Sequence, residues 1–367
     1  MTAWVKGQQA GPDAAVAAAA DLLGRARAPV FAGLCAEVDA VRAAYRLARA
    51  LGASLDPVGG TGLYADLGAL ASGGALTTTP AEVAGRADLV LVVGAGPWGA
   101  PLVADLAAGP GPSRGRAAGA ARAVLALGGP VGAAASAAWP AGEAGLAAAL
   151  GLLRGLAAGR VAGSHALADL AARLRGALYA VVAYDPAELG PLGSEMLTGL
   201  VKDLSESGRA FTLPLADPYQ GRSVTQVAAW TTGQGPRVGF GRGRTEHDPW
   251  RFDSARQVAA GEADAALWLA SLPAPRPDWT RTLPTVALLG EDAAGDEAEV
   301  VIRVGRPGET RGGALWHPRR AAITWQEGTS HGGASQEGTS PGAAPSAASV
   351  LAGLQARLVP TEHPASC

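Results

Sequence analysis

The sequence predicts an α/β protein built from two Rossmann-like lobes, each a parallel sheet flanked by helices. Three observations carry this prediction. Short apolar runs alternate with helix-patterned stretches along most of the 367 residues. The alternation pauses at a helix-rich stretch, Ala141–Leu174, and then restarts. Finally, 48% of the residues are hydrophobic with few aromatics, a composition suited to close helix–sheet contacts.

Asp13–Arg27 has helical spacing through Val16, Ala20 and Leu23, and Pro29–Gly33 reads as the strand after it. Val38–Leu51 is a second helix, with Val41, Tyr45, Leu47 and Ala48 on one face and arginines on the other. Ala53–Val58 is a strand leading into a turn, GGTG, and Pro80–Arg86 is a short helix before the strand Asp88–Val93. A Gly/Pro/Arg-rich loop, Ala107–Gly119, precedes the strand Arg122–Leu127. Past the helical linker come strand Ala177–Ala183, helix Glu195–Ser207 and strand Ala210–Leu215. The polar segment Ala216–Arg251 separates these from helix Ser254–Gly261 and strands Ala263–Ala270, Thr285–Leu289 and Val300–Val304. Ala314–Trp325 reads as a hairpin. From Gln326 the chain turns low-complexity, with QEGTS at Gln326–Ser330 and again at Gln336–Ser340. Ser346 then caps a short amphipathic helix with Val350, Leu351, Leu354 and Leu358 on one face. A helix this short needs a surface, either the chain's own body or a partner's. The expected divisions are therefore 12–140 for the first lobe, 141–325 for the linker and second lobe, and 326–367 for the tail.

Composition narrows the function. A formal net charge of −2 gives no general attraction to nucleic acid or acidic membranes. No apolar run reaches ~18 residues and the start lacks signal-peptide character, so a cytoplasmic protein is expected. The two cysteines, Cys35 and Cys367, are too few for a disulfide framework or a thiolate metal site.

Asp88–Gly99, DLVLVVGAGPWG, places Gly94, Gly96 and Gly99 in dinucleotide-fingerprint spacing after a strand. Its surroundings argue against a site. The next strand ends in LALGG, without the acid that would hold a ribose, Pro97 has no amide to offer a phosphate, and Trp98 is bulky. The five histidines, His165, His247, His317, His331 and His363, form no metal-ligand spacing, and Glu246-His247-Asp248 reads as a polar loop. No nucleophile elbow or P-loop occurs, and two lysines, Lys6 and Lys202, leave little scope for Schiff-base chemistry. Arg222, Arg237, Arg242, Arg244, Arg251 and Arg256 crowd one segment, which is either a solvated loop or a surface for an acidic partner or polyanion. Trp250, Trp279 and Trp316 suit interface anchoring and core packing equally.

Asp203–Gly235 (DLSESGRAFTLPLADPYQGRSVTQVAAWTTGQG), Phe240–Gly243 (FGRG) and Gly261–Ser271 (GEADAALWLAS) resemble the B subunit of formylmethanofuran dehydrogenases, within the molybdopterin oxidoreductases. GRADLVLVVGAGP, Gly85–Pro97, agrees more loosely, and the resemblance spans Asp13–Trp325. It implies the central domains of that superfamily without the N-terminal iron–sulfur domain. Those enzymes carry a cysteine or selenocysteine metal ligand after the second strand. Here Asp56–Gly68, DPVGGTGLYADLG, supplies no Cys, Ser or His, and the loop corresponding to the pterin-contacting one reads GGPVG, Gly128–Gly132. An emptied B subunit of this kind resembles the B subunits of the formyltransferase/hydrolase complexes of methylotrophic bacteria. The resemblance implies a non-catalytic subunit without cofactor, metal or catalytic residues of its own. Its partners would be an amidohydrolase-like A subunit, a C subunit and a formyltransferase D subunit. Such a complex moves a formyl group from tetrahydromethanopterin to a methanofuran analogue and hydrolyses it to formate, in formaldehyde oxidation. Contact with a polyglutamylated methanofuran analogue is a further expectation. The alternatives are a molybdopterin-type dehydrogenase subunit with unusual ligation and a dinucleotide-binding enzyme.

Overall fold

The computed structural model describes residues 2–129, 135–162, 165–215, 217, 219–291, 298–328 and 344–359. The chain opens with β1 (Ala3–Val5), β2 (Gln8–Ala10), α1 (Pro12–Arg25), β3 (Pro29–Cys35), α2 (Val38–Leu51), β4 (Ser54–Pro57) and α3 (Gly60–Gly73). It continues through α4 (Pro80–Arg86), β5 (Leu89–Val93), α5 (Pro101–Ala108), β6 (Ala123–Leu127), β7 (Ala137–Trp139), α6 (Gly145–Ala157), α7 (Ala168–Gly176), β8 (Ala180–Tyr184), α8 (Pro186–Ser205) and β9 (Ala210–Pro214). Then follow α9 (Gly221–Thr232), β10 (Val238–Gly239), β11 (Glu246–His247), α10 (Ser254–Ala259), β12 (Ala265–Ala270), β13 (Thr285–Gly290), β14 (Val300–Val304), β15 (Gly313–His317), β16 (Ala322–Gln326) and α11 (Ala347–Leu358).

Two compact units result. One draws its described residues from Met1–Gly60, Pro218–Trp316 and Ile323–Cys367, the other from Thr61–Asp217 and His317–Ala322. This differs from the division at 140/141 that the sequence suggests. β3 and β4 do not pair with β5 and β6, which follow them, but join β12, more than two hundred positions downstream. Hydrophobic pattern identifies strands but carries no information about which distant strand completes the sheet.

The first unit holds a nine-stranded sheet in the order β11-β10-β4-β3-β12-β13-β14-β1-β2. Its centre, β4 to β14, is parallel, as expected. Its edges correct that expectation, because β10 pairs antiparallel with β4 and β1 antiparallel with β14. The central strands are buried along their whole length, and this is why they read as continuous apolar runs. Phe31, Leu267 and Leu288 face α1, α2, α9 and α11. Ala32, Trp268 and Ala287 face the opposite way, with Trp4 and Trp279 packed over them.

The second unit holds a five-stranded, wholly parallel sheet, β7-β6-β5-β8-β9. Leu91, Leu125 and Val182 pack against α6, α7 and α8 on one face, and Val90, Val92 and Val181 against α4 and α5 on the other. The stretch read as a helical linker is therefore part of this core, with Leu150, Leu153 and Leu170 fully buried. α3 and α9 stand where a turn and a polar segment are expected, because tertiary burial overrides the low helix propensity of their glycines and the Thr231-Thr232 pair. α5 starts on Pro101, which is favoured at the first helical position, and runs just into the expected loop at Ala107.

Short carboxylate clamps tie these parallel strands together. Asp88, just before β5, accepts from the amides of Leu178 and Tyr179, just before β8, at 2.9 and 2.7 Å. Asp264, just before β12, accepts from Arg27 and Ala28, just before β3, at 2.8 and 3.0 Å. Both aspartates close the same tetrapeptide pattern, Gly-x-Ala-Asp, at Gly85–Asp88 and Gly261–Asp264. The two units thus repeat one local device at the start of their central strand pairs.

α11 settles the alternative left open for the tail helix. Ser346 caps it by accepting from Ser349 N at 2.9 Å, and Val350, Leu351 and Leu354 are buried against α1 and α2 in the chain's own body. The second QEGTS copy, His331, His363 and Cys367 lie outside the described residues. Leu354→Ala should lower stability by about 2–4 kcal/mol, the usual cost of a large-to-small core change. Urea unfolding checks this, and a loss no larger than that of an exposed leucine would mean that α11 contributes no packing.

Candidate functional site: two filled crevices

Ligands of open α/β sheets bind at the carboxyl ends of the strands where the order reverses. The topology places one such point in each unit. In the second unit it lies between β5, whose connection leads to β6, and β8, whose connection leads outward to β9. Here the glycine fingerprint sits, directly after β5. Gly94 turns the chain with φ +85°, and a 3-10 segment, Gly96–Gly99, follows instead of an α-helix.

What the sequence reading missed is Glu188. Its Oε1 accepts from Ala95 N at 2.7 Å and its Oε2 from Gly96 N at 2.8 Å. These are the amides that a pyrophosphate would need. The chain's own carboxylate is the anion of this nest. Gly94 is obligatory for two reasons, its positive φ and the carboxylate behind it: a Cβ there would collide with Glu188 Oε2. Gly99, the third glycine, faces open space, so the close helix–strand packing of a dinucleotide fold does not explain it. Trp98 lies beside Gly129, its indole Nε1 buried without a partner. Pro130–Gly132 of the loop after β6 lie outside the described residues.

A helix-start signal could have located Glu188. Asp185-Pro186-Ala187-Glu188 puts an Asp at the N-cap, Pro at the first helical position and Glu at the third. Asp185 does cap, accepting from Ala187 N at 2.9 Å. The helix then kinks at Gly190 and Pro191, and that pair hides its first turns from a periodicity search.

In the first unit the reversal lies between β3 and β12. A second glutamate closes it. Glu37, at the N-cap of α2, is buried and its Oε2 accepts from Ser271 Oγ at 3.1 Å, at the end of β12. Gly313 and Pro307 pack over it. Burial pushes the Glu37 carboxyl above its ordinary range, against the pull of its own amide, Ser271 and Arg311.

The segment corresponding to the metal-ligand turn does not fit a pterin-held metal. Asp56, the one carboxylate at the end of β4, accepts from Arg237 Nε at 2.8 Å and from Ser254 N at 3.0 Å. Burial raises its pKa and the Arg237 guanidinium opposes that rise. Past it, Gly59 turns with φ +71° directly under the ring of Tyr219, 2.7 Å from where a Cβ would stand, so no ligand-bearing side chain fits. Among the described residues no cluster of His, Cys, Asp and Glu could hold a metal ion. Cys35 is buried with its Sγ near Pro273 O, and His247 Nδ1 pairs with Arg237 O at 2.7 Å.

The arginine-rich segment is largely internal. Arg237 binds Asp56 and Asp253, while Arg256 binds Glu262 and stacks 4.5 Å from the Trp250 ring. Arg242, Arg244 and Arg251 share Glu246. Of the three tryptophans, Trp279 packs on the sheet, Trp316 is half-buried with its amide on Gln220, and Trp250 is exposed.

Each crevice yields a prediction. Glu188→Ala strips the acceptor from two amides and should cost about 2–4 kcal/mol, with part of the loss recovered by sulfate or phosphate entering the nest. Thermal unfolding with and without the anions checks this, and no destabilisation would show that the two bonds carry no weight. Glu37 titrates with the opposite consequence to a paired carboxylate. Its raised pKa makes the protonated form the one the fold prefers, so its contribution is fully present below the ordinary value of 4.5 and is lost as pH rises through the raised value. Glu37→Gln should therefore gain stability relative to the parent as pH climbs above about 4.5. A stability difference independent of pH would contradict this.

No family model matches the sequence. A protein of Methylorubrum extorquens, the B subunit of the formyltransferase/hydrolase complex Fhc, is 59% identical over 371 residues, with 100% of each chain covered. The X-ray structure of the formyltransferase/hydrolase complex (FhcABCD) from Methylorubrum extorquens, in complex with methylofuran, contains a chain of 58% identity. That chain superposes with a TM-score of 0.91, covering 97% of this chain and 98% of the other. With identity of this order over its whole length, the chain belongs to the family of formyltransferase/hydrolase complex B subunits.

Proposed function

We propose that this chain is a structural subunit of a formyltransferase/hydrolase complex and has no catalytic group of its own. The partners in this reading are the A, C and D subunits, and the complex passes a formyl group from tetrahydromethanopterin to a methanofuran analogue and releases formate. The relative's name and the FhcABCD assembly support membership of such a complex. The cytoplasm, where this one-carbon chemistry would run, is the expected compartment.

One observation carries the non-catalytic part. At both strand reversals the position a ligand would take holds a glutamate of the chain, Glu188 on two amides and Glu37 against Ser271. A dinucleotide enzyme needs the first of these positions open, and a pterin-held metal needs a donor where Gly59 lies under Tyr219. Among the described residues, these two features weigh against both alternatives named from the sequence. Methylofuran in the similar complex is the ligand of that assembly.

The test uses the assembled complex with Glu188→Gln or Glu37→Gln. Turnover per assembled complex should stay within about twofold of the parent, against the ~10²-fold or larger loss expected when a transition-state contact is removed. Intact assembly with a loss of that size would make the glutamate a working residue and overturn the reading. Stoichiometric molybdenum or tungsten in the purified complex would do the same.

A further inference from the structure

We infer that the edge of the first unit's sheet formed by the β10–β11 hairpin is a docking face for an acidic surface of a partner protein. The inference rests on the reading of the chain as a subunit and adds where and by what chemistry it assembles. At this edge Glu246 lies inward with Arg242 and Arg244 standing outward, and the neighbouring carboxylates are already engaged by the chain's own donors. Asp264 is spent on the Arg27 and Ala28 amides, Asp248 on the Trp250 and Arg251 amides, and Asp253 on Arg256 N and Arg237. Glu262 is held by Arg256. Glu246 lies beneath three arginines with its side chain only 18% exposed, while Arg242 and Arg244 above it are 62% and 75% exposed.

Sharing one carboxylate among three guanidinium groups leaves each with donors to spare, since every fork carries five N–H groups. Their distances to Glu246, 3.4 Å from Arg242, 3.2 Å from Arg244 and 3.1 Å from Arg251, are long for charge-assisted bonds. An incoming carboxylate could take the outer donors without displacing Glu246. A recess of about 390 Å³ opens at the same place, where Arg27, Arg242 and Arg251 outnumber Glu246 and Glu262, both already engaged by arginines, with Ser54 and Gln257, bonded to each other at 2.8 Å, among its polar walls. Beside it Trp250 stands 72% exposed, its ring covered on one side by Arg256. Exposed tryptophan and arginine together are the composition of interface hot spots, and such a side chain costs less to bury when its ring is already fixed. Charge decides the partner: an acidic protein face fits, a basic one does not.

Three full-length chains test this, each mixed with the partner subunits: the parent, Arg242→Glu/Arg244→Glu and Trp250→Ala. A fourth, Arg242→Lys/Arg244→Lys, keeps the charge. Assembly of the charge-reversed chain should weaken at least about tenfold, that of Trp250→Ala should fall, and the lysine pair should keep most of it. Parent assembly should also weaken as salt rises. Far-UV circular dichroism and unchanged melting of each isolated chain separate lost docking from lost folding. Parent chain that recruits no subunit overturns the subunit reading and this inference together. Normal assembly by the charge-reversed chain overturns the inference alone. Normal assembly with reduced turnover would assign the face to an acidic ligand instead, and overturns it as well.

Discussion

The two hydrogen bonds from Ala95 and Gly96 to the carboxylate of Glu188 fix the architecture around β5 and β8. At the carboxyl end of a central parallel strand the chain must turn, and the amides of that turn have no ladder partner. In a binding protein a phosphate satisfies them. Here α8 brings its own acceptor, so the sheet, the turn and the start of a 20-residue helix are locked by groups that are always present. Bonds to a charged group contribute about 1.5–3 kcal/mol each, a sizeable part of a domain stability of about 5–15 kcal/mol. A nucleotide would have to displace Glu188 and leave a carboxylate facing a phosphate, and the charge repulsion makes that exchange unfavourable.

The first unit reaches the same end by a different route. Glu37 sits at the helix after β3 as Glu188 sits at the helix after β8, and Asp264 clamps β12 to β3 as Asp88 clamps β5 to β8. The difference is chemical. Glu188 meets two amides of the glycine turn, whereas Glu37 is buried, and its pKa rises because burial outweighs the pull of its own amide, the Ser271 hydroxyl and Arg311. One plug is an ion held by donors, the other a carboxyl that the fold prefers protonated. Both stand at the strand reversal of their unit and are held there by the chain's own groups.

Legibility in the sequence follows the same physics. Strands buried on both faces, such as Leu89–Val93 and Ala265–Ala270, are visible as unbroken apolar runs, and α2 as a helix with arginines on one side. The fingerprint glycines are legible, and so are the missing ribose acid and the poor amides at Pro97. Glu188 is not, because Gly190 and Pro191 break the helical pattern that would otherwise lead back to Asp185. The pairing of β3 with β12 is invisible as well, since no local pattern encodes a partner so far along the chain. The arginine segment is legible only as an alternative. Its outcome depends on which carboxylates fold back beneath it, and that is a tertiary fact.

Surface ion pairs contribute about 0–1 kcal/mol, so stability does not explain why three arginines gather over Glu246. Arg237, with Asp56 and Asp253 at 2.8 and 2.6 Å in a buried setting, is the structural member of the segment. Removing one partner there would leave a buried charge exposed to the full cost of desolvation. Above it the energetics are nearly flat: Arg242 and Arg244 hold Glu246 by long contacts and can turn their outer donors to another carboxylate at little cost. A face whose internal bonds are cheap to exchange, next to an exposed tryptophan, can accept a partner without first breaking its own structure. The two strand reversals, where Glu188 and Glu37 are held by the chain's own donors, offer no such exchangeable face.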